Sequence, residues 1–321
     1  MKKYIIIILA IIFLTACDKI LEIENDTPQV TPTHSTENDQ TINEDIATPQ
    51  VIPTYSTEND QTINEDIATP VLVKNLFLGG LSNGKWMQRD EFFNSGIVKF
   101  DGFEYDVYSN NINIGTAIGR LPANWISGEL IQGDKYEEDF SILEIYDKNN
   151  QAISYDIAIK AEWNLFPQSY TEQSTEQESY TTLVKNYLVE CGIESPKTSI
   201  KQIISVDLEG DGTEEVLIAA DNTIDDQFEQ VKKGDNAVLI FRKVVEGEVI
   251  DQIVEQDIRL NEEEYSSYYR ILYRVETIAD LDGDSVMEVI VRSWYYEGEG
   301  WSIYKLIHNR LELVASNGIG A

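Results

Sequence analysis

Two short stretches concentrate carboxylates at a spacing that suits a cation. Asp207-Leu208-Glu209-Gly210-Asp211-Gly212-Thr213-Glu214-Glu215 is matched 73 residues later by Asp280-Leu281-Asp282-Gly283-Asp284-Ser285-Val286-Met287-Glu288. In the first, side-chain oxygens at alternate loop positions and at the end come from Asp207, Glu209, Asp211 and Glu215. In the second they come from Asp280, Asp282, Asp284 and Glu288, and Thr213 or Val286 stands where a backbone carbonyl would complete each set. A tight loop turns alternate side chains toward one centre, which is what a hard cation requires, and calcium tolerates such a set better than magnesium with its strict octahedron. Carboxylates packed this closely repel one another without a cation. The plainer reading of the same residues is two solvated acidic turns.

Apolar runs flank both loops. Residues 203–206 and 275–279 lead in, residues 216–218 and 289–291 lead out, and further strands are expected at 237–242 and 302–307. Each copy therefore reads as a small antiparallel sheet with the acidic loop between its first two strands. The loops resemble the D-x-D-x-D-G-x-x-D calcium loops of FG-GAP and VCBS-type repeats, which implies calcium and a β-blade over residues 195–321 but no activity. Glu209 stands where that pattern has a shorter Asp, both loops end in Glu, and Ser285 replaces a Gly at a position that often needs positive φ. A closed propeller needs four to eight blades, so two copies are expected to pack face to face or against the region before them.

That region, residues 71–170, carries hairpin signals. Residues 97–100 and 103–108 flank Asp101-Gly102, and residues 142–146 and 153–159 flank Lys148-Asn149-Asn150. Trp86, Trp125 and Trp163 read as core bulk. A connecting helix is expected within residues 171–194, because Leu183, Val184, Tyr187, Leu188 and Cys191 share one helical face and Gly192 suits its end. Trp294, Tyr295, Tyr296 and Trp301 could form a platform for a sugar or a protein. Strand alternation instead puts half of them in the core and makes Gly298-Glu299-Gly300 a turn. The fold class is mainly β: a small antiparallel region, one helix, then two blade-like repeats that do not close a propeller.

The amino end places the chain. Residues 1–16 read as a signal peptide, with Lys2-Lys3 before an apolar run at 4–14 that is short for a membrane span. Leu14-Thr15-Ala16-Cys17 resembles a bacterial lipobox, which implies cleavage before Cys17, its lipidation (palmitate among the acyl chains) and a cell membrane location facing outside the cytoplasm. Together with Gly84-Lys85-Trp86, Trp163-Asn164, the two loops and the Gly318-Ile319-Gly320-Ala321 ending, it resembles uncharacterised lipoproteins of clostridia-like bacteria. Residues 17–70 follow as an acidic tether in which residues 27–47 recur at 48–68 with only Thr31/Ile52 and His34/Tyr55 differing. Such a composition buries too little surface to order itself. A flexible chain of that length spans about 40 Å; a repeated binding epitope is the other reading.

Charge and histidine count exclude several classes. The net charge of −33, from 57 acids and 24 bases, argues against nucleic acid as a partner. The histidines are His34 in the tether and His308 beside a polar turn, and no nucleophile elbow, zinc-protease, Walker A or dinucleotide fingerprint occurs. Cys191 reads as a buried apolar residue. What remains is a binding or structural module with an envelope glycan or protein as partner, or an envelope hydrolase using paired carboxylates, which spacing in sequence does not reveal.

Overall fold

The computed structural model describes residues 68–94, 102–120, 144–224, 231–261 and 269–320. All belong to one compact unit, Asn64–Ala321. The signal peptide, Cys17, residues 18–67 of the duplicated tether, Trp125 and the expected strand at 97–100 lie outside the described residues. Residues 68–70, expected to end the tether, instead belong to the folded body: Ala68 is buried in its core and Thr69-Pro70 open its first strand.

The protein is mainly β, with three antiparallel sheets. The first is built from β1 (Thr69–Val73), β2 (Leu76–Ser82), β3 (Lys85–Gln88), β4 (Glu104–Ser109), β5 (Ile112–Arg120), β6 (Glu144–Tyr146) and β7 (Ile157–Ile159), in the order β3-β2-β1-β7-β4-β5-β6. A short helix, α1 (Arg89–Asn94), follows β3. The second sheet contains β8 (Tyr170–Glu172), β9 (Ser199–Val206), β10 (Glu215–Asp221), β11 (Asn236–Val245) and β12 (Glu248–Ile258), with α2 (Glu178–Glu190) inserted after β8. The third is a simple meander of β13 (Leu272–Ala279), β14 (Glu288–Tyr295), β15 (Gly298–Ile307) and β16 (Arg310–Gly320). Neither described helix is long and apolar enough to cross a membrane.

Local chemistry sets the hairpins. Lys74-Asn75, Asn110-Asn111, Glu246-Gly247 and His308-Asn309 all adopt positive φ at both central residues, the geometry whose twist matches flanking strands. Asn110-Asn111 joins β4 to β5, a hairpin the sequence reading missed. The expected partner of residues 142–146 is only partly correct. Tyr146 bridges Ala152 across the Asn150 turn, but β7 leaves that neighbour and inserts between β1 and β4. Its three residues are all buried, so both faces need cover that a two-strand hairpin does not give. Nor does Gly298-Glu299-Gly300 form a turn. The turn falls at Tyr296-Glu297, and the glycines lie within β15 because β16 approaches too closely for a side chain: a Cβ on Gly298 would sit 2.5 Å from the Ile319 carbonyl oxygen. Trp301 is buried, while Tyr296 is exposed and stacks on Tyr269.

The sheets stack. Leu217, Ala219, Leu239 and Phe241 of the second sheet pack against Val275, Val289, Val291 and Leu306 of the third. Ile290, Trp301, Ile303 and Ala315 on the opposite face of the third pack against Val71, Val73, Leu78 and Ile159 of the first. The two copies therefore lie face to face, and the second copy also packs on the first region. The unbroken Val289-Ile290-Val291 run is the sequence mark of a strand buried on both faces. Helix α2 covers the outer face of the second sheet through Val184 and Leu188, which meet Ile203, Ile218 and Val238. Gly192 ends it at φ 103. The helix is thus a layer of the stack as well as a connection.

Candidate metal centre

Each acidic loop hangs between the first two strands of its copy, as the flanking runs predict. Asp207 follows β9 and Glu215 begins β10; Asp280 follows β13 and Glu288 begins β14. The second residue of each loop is a leucine driven into the core, Leu208 between the second and third sheets and Leu281 between the third and first. That burial fixes the loop and turns its neighbours inward.

The two loops share one hydrogen-bond plan. The Leu208 N–H donates to Glu215 Oε2 (2.9 Å) and the Leu281 N–H to Glu288 Oε2 (2.7 Å). Asp207 accepts from the Asp211 and Gly212 N–H groups, and Asp280 from those of Gly283 and Ser285. Asp211 accepts from the Thr213 N–H and Asp284 from the Val286 N–H. Ser285 has φ 72, against 86 at its counterpart Gly212, so the serine holds a left-handed conformation that favours glycine.

The loops differ in what they gather. Asp280, Asp282 and Glu288 bring one ligand atom each to within 4.8 Å of one another and are placed to hold a metal ion; the described residues contain no second such group. Glu288 is fully buried, and its Oε1 accepts no hydrogen bond. Burial first, and the Asp282 charge next, push the Glu288 carboxyl up to about 8. Burial also raises Asp280, against the pull of the Gly283 and Ser285 N–H groups. Asp284 is more exposed, and Lys305 with the Val286 N–H outweighs its burial and holds it below the usual carboxylate range. In the first loop Glu215 is equally buried but has both oxygens satisfied, Oε1 lying 2.6 Å from Lys243 Nζ.

Residues outside the expected set complete the second loop. The Trp163 indole donates to the Asp280 carbonyl (2.8 Å) and its ring lies on Gly283, where a Cβ would meet it at 2.9 Å. The Trp86 indole donates to Asp282 Oδ2 (3.2 Å). These two tryptophans are therefore only edge contributors to the core and belong to the loop, a role that residue type and periodicity do not signal. Beside them a cleft of about 270 Å³ is lined by Asn83, Gly84, Lys160, Trp163 and Asp282. Lysines missed by the sequence reading also enter: Lys305 bonds Asp282, and Asp284 at 2.7 Å, while Lys243 bonds Glu209 and Glu215.

A second cleft, about 320 Å³, is lined by Lys74, Asn110, Asn111, Asp156, Tyr170 and Glu276. Lys74 Nζ lies 2.5 Å from Asp156 and 3.2 Å from Glu276, bridging the two carboxylates. Burial would raise Asp156, but Lys74 and the Asn110 N–H hold it below the usual range, so it is no proton donor near neutral pH. Held in this way, Asp156 is unsuited to be the protonated carboxyl that glycoside hydrolysis needs.

Comparison with protein families, characterised proteins and solved structures gives no match for this chain.

Proposed function

We propose that the chain is a cell-envelope lipoprotein, held on the outer side of the membrane through Cys17, whose β body serves as a binding or structural module stabilised by calcium at the second acidic loop. The observation that carries the ion is the buried Glu288 oxygen without a hydrogen bond, set among the carboxylates of Asp280 and Asp282. A buried carboxylate oxygen without a hydrogen bond is costly, and a divalent ion would satisfy it along with its neighbours. The loop supplies only oxygens, and calcium is the divalent ion that accepts such a set with irregular geometry. The first loop, whose glutamate is already satisfied, supports calcium less well. The lipobox-like Leu14-Thr15-Ala16-Cys17 supports the anchor. The polar clefts support an envelope glycan over a protein as the ligand, since hydroxyl-rich ligands match Asn, Asp, Tyr and Trp side chains.

Two measurements test the reading. Excess calcium at one hundred times Kd adds about 2.7 kcal/mol for one site, a rise in Tm of about 5 to 10 °C over EDTA; an unchanged Tm refutes the ion. Cys17→Ser should move the protein from the membrane to the soluble fraction or stall its processing, and unchanged attachment refutes the anchor.

A further inference from the structure

Lys243 and Lys305 stand at the same place in the two copies. Val216 pairs with Arg242 and Val289 with Tyr304, so the next register step sets Lys243 opposite Glu215 and Lys305 opposite Glu288. Each lysine lies in the third strand of its copy and reaches across to the loop between the first two. Lys243 Nζ bonds Glu209 and Glu215, and its side chain is 5% exposed. Lys305 Nζ bonds Asp282 and Asp284 and lies 3.4 Å from Glu288 Oε1, with a side chain 17% exposed.

We infer that these two ammonium groups are the resident cations of the acidic loops: Lys243 seals the first loop so that it takes no metal, and Lys305 holds the second until a divalent ion displaces it. An ammonium offers three donors, and Lys305 meets two of the three carboxylates placed to hold a metal, Asp282 and Glu288. In the first loop the ammonium hydrogen-bonds Glu215 Oε1 at 2.6 Å, whereas in the second it stands 3.4 Å from Glu288 Oε1, an ion pair without a hydrogen bond and an incomplete match that a divalent ion would improve. The long Lys305 stem reaches water without leaving its apolar neighbours. Displacement then costs the ion pairs it makes, which weakens metal affinity. Only the displacement half rests on the calcium reading above.

The test uses the chain with Lys243→Met, Lys305→Met, and the doubles Lys243→Met/Glu215→Gln and Lys305→Met/Glu288→Gln, melted in EDTA and in excess calcium. Removing one partner of a buried pair leaves an uncompensated charge, so each single variant should lose roughly 5 to 15 °C in EDTA. Each double should recover part of that loss. Calcium should raise Lys243→Met and Lys305→Met more than it raises the wild type, and calorimetry should find at most one calcium per wild-type chain. Doubles no more stable than singles would overturn the inference, because the lysines would then matter only for packing; two calcium ions on the wild type would overturn the seal. A wild-type Tm indifferent to calcium, with destabilised single variants that the doubles rescue, would instead refute the calcium reading and leave the lysines as the cations.

Discussion

Glu215 and Glu288 begin equivalent strands, are equally buried and accept equivalent N–H groups, yet one has both oxygens satisfied and the other only one. The difference comes from how close a lysine approaches, which no property of the glutamates themselves reveals. Ser285 is a second such contrast. Its left-handed φ should make Ser285→Gly more stable than wild type by about 0.5 to 1 kcal/mol in EDTA, read by urea unfolding; a loss would mean that the serine side chain makes up for its backbone. Glu255 gives a pH signature away from the loops. Burial raises its carboxyl, opposed by the Tyr304 hydroxyl that bonds it. A raised acid keeps its proton in the native state where the unfolded chain has lost it, so stability is full below about pH 4.3 and falls as pH rises toward the native value. Glu255→Gln should match wild type at pH 4 and exceed it by pH 7, as followed by unfolding at several pH values; a constant difference would show that the carboxyl is not the cause.

At the level of loops and strands, the acidic loops were legible because their chemistry is local. Carboxylates at alternate positions, a leucine and flanking apolar runs lie within about ten residues of one another, and the same grammar is written twice. What closes the loops was not legible. The loops recur 73 residues apart, but Lys243 and Lys305 are 62 apart, because the copies differ in length between their second and third strands. Aligned on their loops, the copies do not superpose the lysines; counted from the start of the third strand, both fall at the eighth position. Trp163 was hidden for a related reason, since its contact with Gly283 spans more than a hundred residues. That contact separates two otherwise similar glycines. Gly283→Ala must displace the indole as well as strain the backbone, whereas Gly212 has open space around it. Gly283→Ala should therefore destabilise the protein by at least about 1 kcal/mol more than Gly212→Ala. Equal losses would place Trp163 elsewhere.

Across the whole molecule, layering follows from how many faces each sheet must hide. The third sheet buries residues on both faces, so it depends on both neighbours. A chain limited to residues 167–321 would lay bare Leu281, Ile290, Trp301, Ile303 and Ala315 together, a contiguous apolar patch that predicts aggregation. Residues 68–321 should be monodisperse by light scattering and the shorter chain should not; a soluble monomeric short chain would show that the first sheet is dispensable. The continuous apolar runs of β10 and β14 suit strands covered on both faces, though as sequence they marked only strands. The order of the layers did not follow from them, because which face meets which sheet is a property of the stack.

The position of β1 also has a mechanical meaning. If the chain is held at its amino end, every load between membrane and body enters at residue 68 and passes first into this strand. A strand at the rim of a sheet would peel away one hydrogen bond at a time. β1 lies inside the first sheet, bonded to β2 on one side and β7 on the other, with Val71, Leu72 and Val73 wholly buried. Force along it must shear two ladders and drag three side chains out of the core at once, so a body held from that end would be gripped at a point that resists pulling.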